Sequence, residues 1–236
     1  IYYRFMKFDV IILAGGLGTR LSSVVKDVPK PMAAVGGRPF LDHILANLPL
    51  GNIHKIVLAV GHKYEVIGDY YGDTYENVKL EYSIENEPLG TGGGIAKALQ
   101  LVESETCLIL NGDTYFDVNY EELWQVHSES GKLMTLALKY MENPDRYGTV
   151  LLEGSDIVKF QEKQVGLPFG IINGGIYWVN KALLEEMPTQ EKFSFESEVL
   201  EKKVTQNKLG GYISQGLFID IGIPEDYARA QEIFAK

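Results

Sequence analysis

An apolar, β-branched run, Val10-Ile11-Ile12, passes straight into Leu13-Ala14-Gly15-Gly16-Leu17-Gly18-Thr19-Arg20-Leu21, followed by Val28-Pro29-Lys30-Pro31. The run reads as a buried first strand. No stretch constrains the fold more, because a strand ending in glycines brings bare backbone N–H groups to one edge of a sheet. Gly15, Gly16 and Gly18 carry no Cβ, so those groups can approach phosphate oxygens closely. Arg20 adds a planar cationic fork, and Lys30 a point charge further on. Two better-known phosphate loops are excluded. A P-loop needs Gly-Lys-Ser/Thr, whereas here the basic residue is Arg20, following Thr19. A dinucleotide fingerprint needs a third glycine, and Leu21 stands in its place. A tight surface turn stays open as the plain alternative. Arg20 and Lys30 favour the phosphates of a nucleotide.

The pattern that follows predicts strands at 55–60, 79–83 and 106–110 and helices at 39–48, 62–71, 95–102 and 120–129. Strand–helix alternation of this kind predicts an α/β fold whose central sheet is mixed, mostly parallel and flanked by helices. The second half is richer in strands, expected at 133–139, 148–152, 157–162, 175–179, 211–214 and 217–221. Its helices are expected at 181–187, 196–204 and 224–235. With no linker or internal repeat, one domain is expected over 6–236, with a nucleotide-binding half at 6–130 and a substrate-binding half at 131–236. Residues 1–5 precede Met6 and are set aside as an expression remnant or an upstream extension.

Net charge is −10, which disfavours nucleic acid and anionic membranes as partners. The charge is uneven. Between Gly15 and Phe40, Arg20, Lys26, Lys30 and Arg38 face only Asp27. A cationic island in an acidic chain suits a small polyanion, with chance clustering on a solvated loop as the alternative. The single cysteine, Cys107, lies in an apolar run and reads as core rather than nucleophile. It allows no internal disulfide, which points to a reducing, cytoplasmic setting. No apolar run reaches the length of about 18 residues that a membrane helix needs. Whether the chain forms a homo-oligomer is left open.

In open α/β sheets, ligands bind beyond the carboxyl ends of the strands. Besides the opening loop, two candidate features fall there. Glu85-Asn86-Glu87-Pro88-Leu89-Gly90-Thr91-Gly92-Gly93-Gly94 would let something flat lie against its glycines. Glu87, an acceptor-only carboxylate, suits a base edge with adjacent N–H donors; a helix-entry turn with a solvated acid is the alternative. Asn111-Gly112-Asp113 ends an apolar strand, and Asp220 stands among apolar residues on another. Two such carboxylates suit Mg²⁺, which takes one or two of them together with substrate phosphates and water. A capping or salt-bridged role for Asp220 remains open. His43, His54, His62 and His127 are scattered and read as structural or surface residues.

These residues closely resemble the signature of the sugar-1-phosphate nucleotidyltransferases (NDP-sugar pyrophosphorylases), in the run from Leu13 to Leu21 and in Pro29-Lys30-Pro31. Later matches are Glu87-Pro88-Leu89-Gly90-Thr91-Gly92-Gly93, Leu110-Asn111-Gly112-Asp113, Phe160-Gln161-Glu162-Lys163, Asn173-Gly174-Gly175-Ile176-Tyr177 and Asp220-Ile221-Gly222-Ile223-Pro224. The resemblance is strongest to the guanylyltransferases that act on mannose 1-phosphate and on D-glycero-α-D-manno-heptose 1-phosphate. It implies the Rossmann-like, GT-A-like nucleotidyltransferase fold, without the C-terminal β-helix of some relatives.

The resemblance also implies roles. Leu13, Ala14, Gly15 and Gly16 would hold base and ribose, and Gly18, Thr19 and Arg20 the triphosphate. Lys30 would stabilise phosphate charge. Glu87 and Gly92 would lie at the base, and Thr91 would also bind the nucleotide. Asp113 and Asp220 would bind Mg²⁺. Gly148, Glu162, Lys163 and Asn173 would hold the sugar phosphate. Gln164 departs from the proline usual after that Glu-Lys pair. The implied reaction joins an NTP, GTP by preference, to a sugar 1-phosphate. Arg20, Lys30, Asp113 and Asp220 would carry catalysis. A uridylyl- or thymidylyltransferase is the alternative within this chemistry, and a non-catalytic nucleotide sensor the alternative outside it.

Overall fold

The structure is a computed structural model that describes residues 7–16, 20–21, 23–161 and 165–235. In chain order its strands are β1 (Phe8–Leu13), β2 (Ala34–Val35), β3 (Arg38–Pro39), β4 (Ile53–Val60), β5 (Thr74–Tyr75), β6 (Val78–Ile84) and β7 (Thr106–Asn111). Then come β8 (Thr114–Phe116), β9 (Met134–Glu142), β10 (Thr149–Glu153), β11 (Asp156–Gln161), β12 (Phe169–Asn180), β13 (Leu209–Ser214) and β14 (Phe218–Asp220). The α-helices are α1 (Phe40–Ala46), α2 (Tyr64–Tyr71), α3 (Gly90–Leu99), α4 (Tyr120–Ser130), α5 (Glu201–Val204) and α6 (Pro224–Phe234).

One ten-stranded sheet, in the order β10-β11-β13-β9-β12-β7-β1-β4-β6-β5, runs through both halves. The α/β class holds, but the expectation of a mostly parallel sheet does not. Parallel pairing links β7, β1, β4 and β6, and also β13 with β9. The other pairings in this sheet are antiparallel. The reason is connection length. Parallel neighbours need a long crossover, whereas β10 and β11 are joined by the two residues Gly154-Ser155, with Gly154 at φ +63°. Such a turn closes a hairpin.

β1 shows why the first half is legible. Every residue from Phe8 to Ile12 is buried. Val10 and Ile12 join one apolar cluster with Phe40 and Leu108, while Ile11 joins another with Ile95 and Ile109. Alternate residues thus feed two faces, the mark of a strand covered on both sides. Cys107 lies wholly buried in the second cluster, where burial pushes its thiol pKa up, in keeping with a core role.

Candidate active site

A cleft of about 440 Å³ opens at the carboxyl end of the parallel strands. The opening loop contributes Leu13, Ala14, Gly16 and Arg20. Lys30, Thr91, Asp113 and Asp220 line it too, as do Gly148 and Asn173 from the second half. The structure therefore gathers ten of the expected site residues around one space. Gly18, Thr19, Glu162 and Lys163 lie outside the described residues.

Asp113 and Asp220 meet through a small antiparallel ladder. β8 follows Asp113 directly, and β14 pairs with it so that Asp220 stands opposite Thr114. The Ile221 N–H donates to the Asp113 carbonyl at 3.0 Å. Asp220 Oδ1 accepts from the Gly222 N–H at 2.6 Å. Burial pushes the Asp220 carboxyl pKa up, and the nearby charge of Asp113 pushes it further; the Gly222 N–H, Lys30 and Arg146 oppose the shift. Two facing acids in a half-buried cleft are costly unless a cation compensates them.

Lys30 is one such cation. Its Nζ lies 2.6 Å from Asp113 Oδ2. It opens a single 3-10 turn, Lys30–Met32, whose Pro31 and Met32 are buried and anchor it. Among the described residues, no group of three or more His, Cys, Asp or Glu side chains could hold a metal ion alone. A divalent cation here would complete its shell with substrate phosphates and water. That fits Mg²⁺, which dehydrates reluctantly and needs few carboxylates.

Sequence reasoning missed Arg146, Tyr147, Tyr177 and Glu196, which also line this cleft. Arg146 forms an ion pair with Asp226, in the first turn of α6, and lies 5.4 Å from the Tyr147 ring centre. Its positive charge beside a candidate phosphate site was a signal available in the sequence. Asn173 precedes an irregularity in β12, where pairing with β9 shifts register between Asn173 and Ile176. Its Oδ1 accepts from the Gly175 N–H at 3.0 Å, and its Nδ2 donates to the Tyr177 hydroxyl at 2.8 Å. Gly175 has φ +75°, and a Cβ there would meet Asn111 Nδ2 at 2.6 Å. The bulge therefore needs glycine, as bulges beside active sites often do.

A second cleft, of about 350 Å³, lies at the ends of β1, β4 and β6. Gly15, Gly61, His62, Ile84 and Glu85 are among its lining residues. A Cβ on Gly15 would lie 3.1 Å from the Gly61 nitrogen, so the two loops meet backbone to backbone. The expected base acceptor, Glu87, is exposed and lines neither of these clefts. Glu85, two residues earlier, lines the second cleft. Its N–H donates to the Val60 carbonyl at 2.7 Å, which continues the β4–β6 pairing. Its Oε2 accepts from the Leu89 N–H at 3.0 Å. Burial pushes its carboxyl pKa up.

The glycine cluster is also read differently. Gly90 to Gly94 belong to α3 itself rather than to a loop before it. The flat group against Gly92 is the chain's own Phe193, whose ring would stand 2.2 Å from a Cβ there. Gly92 N–H donates to the Phe193 carbonyl, and Phe193 N–H to the Leu89 carbonyl, both at 3.0 Å. Gly92 is therefore buried by packing against Phe193.

The family described as nucleotidyl transferase matches residues 9–236. The chain belongs to this family. It is 46% identical over 224 residues to a D-glycero-alpha-D-manno-heptose 1-phosphate guanylyltransferase of Aneurinibacillus thermoaerophilus, covering 95% of this chain and 97% of that protein. It is 47% identical over 219 residues to a protein of the same description from Campylobacter jejuni, covering 93% and 96%. The crystal structure of HddC from Yersinia pseudotuberculosis, also solved complexed with GMP-PN, matches with TM-score 0.84 and 38% identity, covering 96% of this chain and 99% of that one. As a nucleotidyl transferase, the protein has to hold two anionic substrates at once, and its cationic groups gather at the same strand ends as its paired acids.

Proposed function

We propose that the protein transfers a guanylyl group from GTP to the 1-phosphate of a manno-configured heptose, giving a GDP-sugar and pyrophosphate. The observation that carries the reading is the convergence of Lys30, Asp113 and Asp220 on one cleft in a chain so similar to heptose 1-phosphate guanylyltransferases. An oxygen of the sugar phosphate attacks the α-phosphorus of GTP. The bond from that phosphorus to the bridging oxygen of the β-phosphate breaks, and its electron pair leaves on pyrophosphate. The attacking oxygen is already ionised at neutral pH, so the step needs no general base.

What the reaction needs is positioning and charge compensation. Arg20 and Lys30 supply positive charge, with Gly18 and Thr19 beside the triphosphate. Arg146, which lines the same cleft, adds a further cation. Asp113 and Asp220 would hold Mg²⁺, which would neutralise phosphate charge. Gly148, Asn173, Glu162 and Lys163 hold the sugar phosphate. Leu13 to Gly16 and Thr91 support the nucleotide, and Glu85, in place of Glu87, accepts from the N1–H and N2–H₂ edge of guanine.

The test is pyrophosphate release with GTP, UTP, dTTP and CTP, each paired with heptose 1-phosphate and mannose 1-phosphate. The expected best pair is GTP with the heptose. A best rate with UTP or dTTP overturns the guanine reading, and no release with any pair overturns the transfer reading. An Asp220→Asn variant with full Mg²⁺-dependent activity removes Asp220 from the metal site.

A further inference from the structure

One acid in the main cleft has no part in the chemistry above. Glu196 opens a π-helical turn, Glu196–Leu200, anchored by the buried Val199 and Leu200. Such turns are rare and are found often at functional sites. Its Oε2 accepts from two hydroxyls, Thr91 Oγ1 and Ser194 Oγ, each at 3.0 Å. Thr91 Oγ1 accepts in turn from the Phe195 N–H at 2.9 Å. These bonds hold the carboxylate in place with no cation paired to it among the described residues. Its Oε1 has no hydrogen-bond partner among them.

The position of Glu196 is equally particular. It lines the main cleft and also a third one, of about 740 Å³, together with Gly148 and Asn173, which border both. The third cleft extends past them to Phe160, Gln161 and Glu201. The hydroxyl of the buried Tyr177, which lines the main cleft, feels the charges of both Glu196 and Asp113.

A cleft that takes two anionic substrates gains nothing from a third carboxylate beside their phosphates, because like charges repel. Such a group is tolerated where it meets the neutral, hydroxyl-bearing end of a substrate. A carboxylate can only accept, and a sugar hydroxyl can donate to it. Resting on the functional reading above, we propose that Glu196 is a specificity-determining residue that accepts from the hydroxyls on the exocyclic carbon arm of the sugar, and that the third cleft receives that arm. The bond from Thr91 ties this acceptor to the glycine-rich helix on the nucleotide side.

The test compares the wild-type protein with Glu196→Ala and Glu196→Gln, using GTP with heptose 1-phosphate and with mannose 1-phosphate, whose arm is one carbon shorter. Removing a charged acceptor should raise KM for heptose 1-phosphate about tenfold or more. The preference in kcat/KM for heptose over mannose should shrink by a similar factor, about tenfold. Glu196→Gln, which keeps one acceptor oxygen, should fall between the wild type and Glu196→Ala. The thermal midpoint should stay unchanged, since the side chain is exposed, and any change in the KM for GTP, through the bond to Thr91, should be smaller than that for heptose 1-phosphate. Equal losses with both sugars, a change in the GTP KM alone, or an unchanged preference would each overturn the assignment while leaving the functional reading intact. No turnover of either sugar by the wild type would overturn the functional reading, and this one with it.

Discussion

Lys30 Nζ stands 2.6 Å from Asp113 Oδ2, joining two residues 83 positions apart in the sequence. Lys30 is nearly buried, with 11% of its side chain exposed, and Asp113 is half open to the cleft at 35%. The pair therefore sets a positive charge against one of two adjacent acids, at the place proposed for the phosphates of both substrates.

Lys30→Met should keep much of the alkyl packing and remove the charge. The expected loss is about 10²–10³ in kcat for pyrophosphate release, the range seen when a preorganised transition-state donor is lost. Steady-state kinetics with GTP and heptose 1-phosphate checks this. A Lys30→Met protein with wild-type kcat would remove Lys30 from catalysis.

Glu85 and Glu87 make opposite predictions. Glu85→Gln replaces one acceptor oxygen with an amide donor facing the proposed guanine edge. The expected fall in kcat/KM for GTP is about tenfold to a hundredfold. Glu87 is exposed and lines neither nucleotide-side cleft, so Glu87→Gln should leave that constant unchanged. The reverse outcome would restore Glu87 as the base acceptor.

Gly93→Ala tests the packing of α3. Helix propensity alone predicts stabilisation of about 1 kcal/mol. The added Cβ would stand 2.2 Å from the Glu191 carbonyl oxygen and 2.7 Å from Leu89 Cβ. Backbone must shift to admit it, so a net loss of about 1–3 kcal/mol is expected in urea unfolding. A stabilised variant would show that the 191–193 segment yields easily.

His127 is buried beside Trp124 and Trp178, and its Nδ1 lies 3.0 Å from Thr135 Oγ1. Burial pushes its pKa down to about 4 from 6.5. The folded state thus resists a proton that the unfolded chain accepts. Stability from the neutral imidazole is complete above the unfolded value of 6.5 and is lost as pH falls toward about 4. The full shift corresponds to about 3 kcal/mol. His127→Gln should flatten the pH dependence of unfolding free energy in that window, measured by urea titration. An unchanged slope would exclude His127 as its source.

Much of the candidate site was legible because phosphate chemistry demands particular residue types at strand ends. Arg20, Lys30 and Asp113 all follow short apolar runs or glycine loops, and all line one cleft. Glu85 did not stand out because its neighbour Glu87 offers the same carboxylate in the same motif, although Glu85 is the one that lines the second cleft. Only the hydrogen bond from Glu85 N–H to Val60 shows which acid the sheet still directs. Glu196 was overlooked because its partners, Thr91 and Ser194, include one that is 105 positions away.

The sequence by itself determined the buried parallel strands β1, β4, β6 and β7 and the loops at their ends, since apolar periodicity and glycine placement are local properties of the chain. It also determined the family, because the signature around Gly15 to Lys30 is long and specific. Tertiary structure alone decided that the second half pairs mainly antiparallel, that Phe193 packs against Gly92, and that Asp220 stands beside Asp113. Each of these depends on pairing between segments far apart in the chain, whose energy is summed over many weak contacts and leaves no local pattern to read.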